Sequence, residues 1–146
     1  MSPELLDSEL FNSNDGCLTK ASDCYAFGMV ILEVLTGQPP FTPFKDHIVS
    51  RKVTNGERPE RPTGVKGTWF TGDLWKMLGL CWEEDPHDRP SIEAVRECLE
   101  KVLSIWKPLP PQLNAGAGED DLEWDLTVLS VRILLPRFVC LWKFSC

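Results

Sequence analysis

The histidines and cysteines are the side chains in this sequence that could most directly support catalysis or metal binding. The 146 residues include two histidines, His47 and His87, and six cysteines, at positions 17, 24, 81, 98, 140 and 146. No two cysteines have the C-x-x-C spacing that is typical of zinc sites. His47 follows Asp46 but has no serine or cysteine at the spacing of a hydrolase motif. We therefore expect neither a metal site nor a Cys-His hydrolase.

Charge and composition limit the kinds of partner. The net charge is −7, whereas nucleic-acid binding relies on clustered Lys and Arg, so we expect no nucleic-acid partner. The small basic cluster of Arg58, Arg61 and Lys66 is interpreted as a solvated loop. No signal peptide is visible, which predicts a cytoplasmic location and free thiols. Cys24 and Cys98 lie on apolar helical stretches and are expected to be buried.

The strongest structural signal is a helix predicted from Thr19 to Thr36. Its sequence leaves almost no polar face, and a helix that is apolar all round is either buried or spans a membrane. Asp23 and Glu33 interrupt the apolar run, which is also too short for a span, so burial is predicted. Thr19 or Ser22 can cap its start, and Gly37, followed by prolines, ends it.

Three shorter helices are predicted from apolar residues at helical spacing. The second helix runs from about Pro43 to Val53. The inward residues are Leu74, Met77, Leu78 and Cys81 in the third helix, and Ile92, Val95, Leu99 and Val102 in the fourth, which Ser91 caps. The segment from Arg58 to Lys66 is predicted to be a loop, because two prolines and a glycine interrupt it. No strand pattern of comparable strength occurs in residues 1–103.

The composition changes after Trp106. Residues 107–125 are rich in proline, glycine and acidic side chains and are predicted to form a linker. Residues 126–146 form an apolar tail of unknown structure, in which two arginines and Pro136 argue against a transmembrane span. This tail is either a binding or aggregation segment or translated non-coding sequence.

A series of short motifs in a fixed order resembles the C-terminal half of the protein-kinase C-lobe, most closely in tyrosine-kinase-like or tyrosine kinases. The motifs are Ser2-Pro3-Glu4, Asp23-Cys24-Tyr25-Ala26-Phe27-Gly28, Gly37-Gln38-Pro39-Pro40-Phe41, Gly56-Glu57-Arg58-Pro59, Cys81-Trp82 and Asp85-Pro86-His87-Asp88-Arg89-Pro90. The first resembles the family's A-P-E motif with serine in place of alanine. The resemblance implies a mainly α fold, a partial C-lobe helical bundle over residues 1–106 without the β-rich N-lobe.

The resemblance also implies structural roles for particular residues. In the family, the glutamate matching Glu4 forms a buried ion pair with an arginine placed as Arg89 is here, before Pro90. The aspartate matching Asp23 accepts hydrogen bonds from the backbone of the catalytic loop. An equally good interpretation of Asp23 is an acidic residue favoured at a helix N-terminus. Gly28 and Trp82 complete the structural motif.

The residues that perform phosphoryl transfer in the family have no match here. The sequence has no glycine-rich loop, strand lysine, H-R-D or D-F-G motif, and Asp7, Glu9 and Asp15 lie outside any such pattern. We therefore assign no catalytic, cofactor-binding or metal-binding residue; ATP and Mg²⁺ are implied only for a full-length kinase.

Met1 stands within the first motif, which leads us to expect a truncated fragment of a protein kinase that is catalytically incompetent by itself. The alternative is a non-catalytic interaction module, or pseudokinase-like half-lobe, that docks to a kinase, scaffold or chaperone. The apolar surface of the central helix also predicts self-association.

Overall fold

The central helix of the fold, α2 (Lys20–Thr36), follows from capping signals at both of its ends. At its start Thr19 and Ser22 form a reciprocal capping box, with backbone-to-hydroxyl distances of 2.9 and 3.1 Å. At its end Gly37 takes the left-handed conformation, with φ 67°, which a residue without Cβ adopts at low cost. The helix predicted from Thr19 to Thr36 is confirmed.

The computed structural model describes residues 1–7, 18–67 and 69–105, and this part of the chain is helical with no strand. The mainly α fold class is therefore confirmed. The remaining elements are α1 (Pro3–Leu6), α3 (Asp46–Thr54), α4 (Gly64–Gly67), α5 (Gly72–Cys81), a 3₁₀ helix (Pro86–Asp88) and α6 (Ile92–Ile105). Of the helices that it describes, none is long and apolar enough to cross a membrane. The predicted linker 107–125 and the tail 126–146 lie outside the described residues.

The three shorter helices are confirmed as α3, α5 and α6, and Ser91 does cap α6, accepting from the backbone N–H of Ala94 at 3.3 Å. The loop predicted from Arg58 to Lys66 is wrong at its end, where Gly64–Gly67 forms the single turn α4. Both prolines of that segment precede this turn, so neither interrupts its hydrogen bonds.

The hydrophobic core lies among α2, α5 and α6. Its fully buried members include Tyr25 and Ile31 of α2, Leu78 of α5 and Val95 of α6. An edge-to-face series of aromatic rings extends the core: Phe70 to Trp75 at 5.8 Å between centroids, and Trp75 to Trp82 at 5.7 Å.

Two predictions of burial need correction. Cys24 is buried as predicted, but Cys98 is only half-buried, because α6 turns this side chain toward the edge of the core, with its sulfur 3.9 Å from the carbonyl of Asp73. The apolar pattern of α2 also predicted more burial than the structure shows. Val30 is 46% exposed, since α5 and the 3₁₀ helix pack against other parts of the helix surface.

Gly28 of α2 allows Trp82 to approach the helix closely. A Cβ atom at position 28 would lie 2.7 Å from Trp82 Nε1 and 3.0 Å from Cys81 Cβ, which is too close for either contact. Gly79, also inside a helix, has nothing within 4 Å of its Cβ position. Substitution of each glycine by alanine therefore distinguishes the steric effect of an added methyl group, at Gly28, from its effect on helix propensity alone, at Gly79.

We expect Gly28→Ala to lower the free energy of unfolding by about 1–3 kcal/mol, the usual range for overpacking. Gly79→Ala should instead raise it by up to about 1 kcal/mol, because alanine favours the helix and meets no neighbour. Urea denaturation followed by circular dichroism measures both values. Equal effects of the two substitutions would show that Trp82 does not pack tightly on α2.

Candidate functional site

The most highly connected polar side chain in the described part of the structure is that of Arg89. It directly follows the 3₁₀ helix, in which Pro86 occupies the first position and the Asp85 carboxylate accepts from the N–H of His87 at 2.8 Å. Arg89 itself is extended, with φ −74° and ψ 142°, as expected for a residue before proline. This backbone conformation ends the 3₁₀ helix, and the side chain of Arg89 is buried.

The structure brings Arg89 together with Glu4 of α1. The guanidinium donates two parallel hydrogen bonds to the carboxylate, from Nη1 to Oε1 at 2.7 Å and from Nη2 to Oε2 at 2.9 Å. Relative exposure is 0% for the arginine side chain and 8% for that of the glutamate. This is the bidentate geometry in which an Arg–carboxylate pair is strongest.

Arg89 also donates to three backbone carbonyls. Nε bonds to Glu83 at 2.9 Å, Nη1 to Ala21 at 3.0 Å, and Nη2 to Glu84 at 3.3 Å. A guanidinium has five N–H groups, so every donor of this buried cation is satisfied. One side chain thereby holds together α1, the first turn of α2 and the segment that follows α5.

Two opposing effects set the pKa of Glu4. Burial raises the pKa of the carboxyl group. The hydrogen bonds that the group accepts from Arg89 and from a backbone N–H lower the pKa, as does the positive charge of Arg89, and together they outweigh burial. Glu4 is therefore ionised at neutral pH, and the pair is a true ion pair.

Arg58 forms a second centre that sequence reasoning missed. The interpretation of its segment as a solvated loop is wrong for this residue, whose Nε donates to the carbonyl of Trp82 at 2.6 Å and whose Nη1 donates to that of Val53 at 3.2 Å. Arg61, although exposed, also donates to a backbone carbonyl, that of Phe70. The signal that could have identified Arg58 was its position within the Gly56-Glu57-Arg58-Pro59 motif, which is one of the motifs that carry the family resemblance.

The other residues of the predicted structural motif occupy distinct places. Asp23 lies half-buried in the first turn of α2, where a negative charge is favoured by the helix dipole. Trp82 ends α5 and is buried with its Nε1 facing Gly28. Pro90 is partly buried between Arg89 and the cap of α6.

The histidines and cysteines show no catalytic arrangement in the part of the chain that is described. His47 and His87 are both exposed, and neither imidazole makes a hydrogen bond within that part. A hydrogen bond with Cys24 and burial raise the pKa of Cys81, so this thiol stays protonated and is not a nucleophile. Among the described residues, no group of His, Cys, Asp or Glu has the arrangement of a metal site.

An open cavity of about 410 Å³ lies beside the C-terminal end of α2. The end of α2, the segment that follows Gly37, residues 57–63 and Lys52 of α3 line it, with proline and phenylalanine side chains among polar and charged ones. Its one lysine, Lys52, pairs with Glu57 and lies over the ring of Phe44 at 4.6 Å. The cavity lining therefore offers neither a free lysine nor the aspartates that phosphoryl transfer needs.

Comparison with known proteins agrees with the family resemblance carried by the order of the motifs. The family model described as protein tyrosine and serine/threonine kinase matches residues 1–99. The chain belongs to the protein kinase family. Its described helices are a partial kinase C-lobe.

Relatives of this kinase chain include both tyrosine and serine/threonine kinases. It is 31% identical to a fibroblast growth factor receptor of Ciona intestinalis, over 77% of the chain and 15% of the receptor. It is 32% identical to human receptor-interacting serine/threonine-protein kinase 3, over 77% of the chain and 22% of that protein. With the human proto-oncogene tyrosine-protein kinase ROS the identity is 30%, over 75% of the chain. The kinase chain thus spans less than a quarter of each of the first two proteins, and 5% of ROS.

We expect Glu4→Ala to lower the free energy of unfolding by about 3–5 kcal/mol, because it leaves the buried Arg89 charge uncompensated. The matched control is Glu100→Ala. Glu100 is also 2.7 Å from an arginine, Arg96, but the two side chains are 59% and 42% exposed. Its loss should cost less than about 1 kcal/mol. If both substitutions lowered the free energy of unfolding, measured by urea denaturation, by the same amount, this result would contradict a special role for the buried pair.

The same pair predicts a specific dependence on pH. Because the pKa of Glu4 is lower in the folded chain than in the unfolded chain, its stabilisation is complete above the ordinary glutamate pKa. That stabilisation is lost as the pH falls through the lowered value. The difference in unfolding free energy between the wild type and Glu4→Gln should therefore shrink in acid. A difference that stays constant from neutral to acidic pH would show that Glu4 is not the ionised partner of Arg89.

Proposed function

We propose that this chain supplies the structural half of a protein-kinase catalytic domain and transfers no phosphate by itself. The observation that carries the proposal is the buried Glu4–Arg89 pair, which fixes the segment at α1 to the helical core. An ion pair of this kind positions other parts of a protein, and the donors of Arg89 are taken up by Glu4 and by three backbone carbonyls. Its chemistry is therefore anchoring rather than catalysis.

The sequence itself supports the lack of phosphoryl transfer by this chain alone. The reaction needs a lysine on the phosphates, an acidic Mg²⁺ ligand and an aspartate that positions the hydroxyl. None of the motifs that carry these groups occurs in the 146 residues. The open cavity beside α2 provides no substitute, because its lysine is already paired with Glu57.

The activity proposed for a complete domain containing this half is transfer of the ATP γ-phosphate to a protein hydroxyl, with Mg²⁺. Similarity to kinases named for tyrosine and for serine or threonine supports this reaction class and leaves both kinds of hydroxyl as substrates. We propose a role in signalling, and a cytoplasmic location on the basis of the free thiols of the described cysteines.

The exposed apolar side chains favour a second candidate function, a non-catalytic interaction module. Val30 of α2, Phe44 before α3 and Leu80 of α5 are each more than a third exposed. Exposed apolar surface favours protein contacts. In this alternative the helical half-lobe docks to a kinase, a scaffold or a chaperone, or associates with itself.

Nucleotide binding and phosphate transfer by the purified 146-residue chain test the first proposal. We expect no rise in Tm on addition of Mg-ATP, because a ligand stabilises a protein only when it binds the folded state. We also expect no transfer of labelled phosphate to serine, threonine or tyrosine peptides. A Tm that rises with Mg-ATP, together with transfer, would overturn the proposal; transfer without a change in Tm would identify a contaminating kinase.

Analytical ultracentrifugation of the same preparation separates the two candidates. Self-association, or a stable complex with a co-purifying protein, supports the interaction module. A monomer that melts cooperatively without a partner contradicts that module and leaves the structural role.

A further inference from the structure

Arg58 joins the ends of two helices. Its guanidinium donates to the carbonyls of Val53, in the last turn of α3, and of Trp82, which ends α5. A third hydrogen bond goes to the carbonyl of Glu57 at 2.9 Å. The last carbonyls of a helix have no partner within the helix and carry its partial negative charge. A cation at this position therefore satisfies both helix ends at once.

Arg58 and Arg89 share one aromatic ring. The guanidinium carbons of Arg58 and Arg89 lie 5.5 and 5.1 Å from the centroid of Tyr25, which is fully buried. Both distances are within the range of favourable cation–π contacts, which are stronger when water is excluded. Tyr25 thus contacts both of the arginines that fix the ends of the surrounding elements.

Two cations near one ring repel each other, and water at the half-buried Arg58, which lines the open cavity, weakens this repulsion. Glu4 compensates Arg89. In the described part of the chain, the hydrogen bonds of Arg58 go to backbone carbonyls rather than to a carboxylate, and the negative face of the Tyr25 ring adds a favourable electrostatic contact. A disturbance of either arginine therefore alters the environment of the other through the ring.

We propose that Tyr25 couples Arg58 to the Glu4–Arg89 ion pair, so that the ends of α3 and α5 and the anchor at α1 are stabilised as one unit. Arg58 thereby positions the ends of α3 and α5 relative to Tyr25. The inference does not depend on the proposed function, because it concerns the stability of the described helices and not phosphoryl transfer.

A double-mutant cycle tests the coupling. Arg58→Met and Glu4→Gln are made singly and together in the full chain, and the unfolding equilibrium constant is measured in urea. We expect the double variant to change this constant by less than the product of the two single changes, by a factor of about three or more. A double change equal to or larger than the product would show that Arg58 and the ion pair are not favourably coupled and would overturn the proposal.

Arg61→Met is the matched control. Arg61 lies three residues from Arg58 and also donates to a backbone carbonyl, but it makes no cation–π contact with Tyr25. Its effect should multiply with that of Glu4→Gln to within about a factor of two, which is the usual error of additivity. If Arg58→Met prevents folding, Arg58→Gln replaces it in the cycle, because glutamine also removes the charge and keeps an amide N–H that can donate to a carbonyl.

Two substitutions of Tyr25 test the part played by the ring. Tyr25→Phe retains the aromatic face and removes a buried hydroxyl that has no hydrogen-bond partner among the described residues, so the coupling should persist. Tyr25→Leu removes the face, and the coupling should disappear. Coupling that survives in Tyr25→Leu would overturn the role of the ring.

Tyr25 also supplies a spectroscopic readout, because it is the only tyrosine in the chain. Burial raises its pKa, whereas the charges of Arg58 and Arg89 lower it and that of Glu4 raises it. Removal of Arg58 should therefore raise the pKa of Tyr25 further, as measured by the ultraviolet absorbance of the tyrosinate during alkaline titration of the folded chain. Arg61→Met should leave the pKa unchanged. An unchanged pKa in Arg58→Met would overturn the proposed contact.

Discussion

The cost of burying the charge of Arg89 is the constraint on which the rest of the structure depends. A cation removed from water is destabilising unless it is paired and all its donors are satisfied. Here the five donors find two carboxylate oxygens and three carbonyls, which belong to separate parts of the chain. The buried guanidinium therefore admits only an arrangement in which α1, the start of α2 and the segment after α5 are all in place.

Helix α2 is the element that gathers these contacts. Ala21, Tyr25 and Gly28 are spaced by four and three residues, so they lie along one face of the helix. Their contributions differ: the first provides a carbonyl to Arg89, the second a ring to both arginines, and the third the space for Trp82. The polar contacts of the arginines and the apolar packing of Trp82 thus lie on one face of α2. For this reason the aromatic Tyr25 and the small Gly28 are only three residues apart in the sequence.

The role that we propose for the chain within the kinase family is positional. Catalysis of phosphoryl transfer depends mainly on precise placement and electrostatic stabilisation of the reacting groups. Elements that hold a segment in place contribute to such placement without touching the substrate. The described helices have the features of such a support. The buried charge of Arg89 is paired, aromatic rings pack closely, and Arg58 donates to a carbonyl at the end of α3 and to one at the end of α5.

The sequence by itself determined the four longer helices, α2, α3, α5 and α6, and the family. Local periodicity, the capping residues around Thr19 and Gly37, and the order of short motifs are sufficient for this, because each signal is encoded within a few residues. The resemblance also implied the association of Glu4 with Arg89, although 85 positions separate them. Only the tertiary structure decided the role of Arg58, whose acceptors, at the ends of α3 and α5, are provided by other parts of the chain. It likewise decided that Val30 is exposed and Cys98 half-buried. An apolar pattern states that a side chain favours burial, whereas the packing of neighbouring helices determines which surfaces are covered.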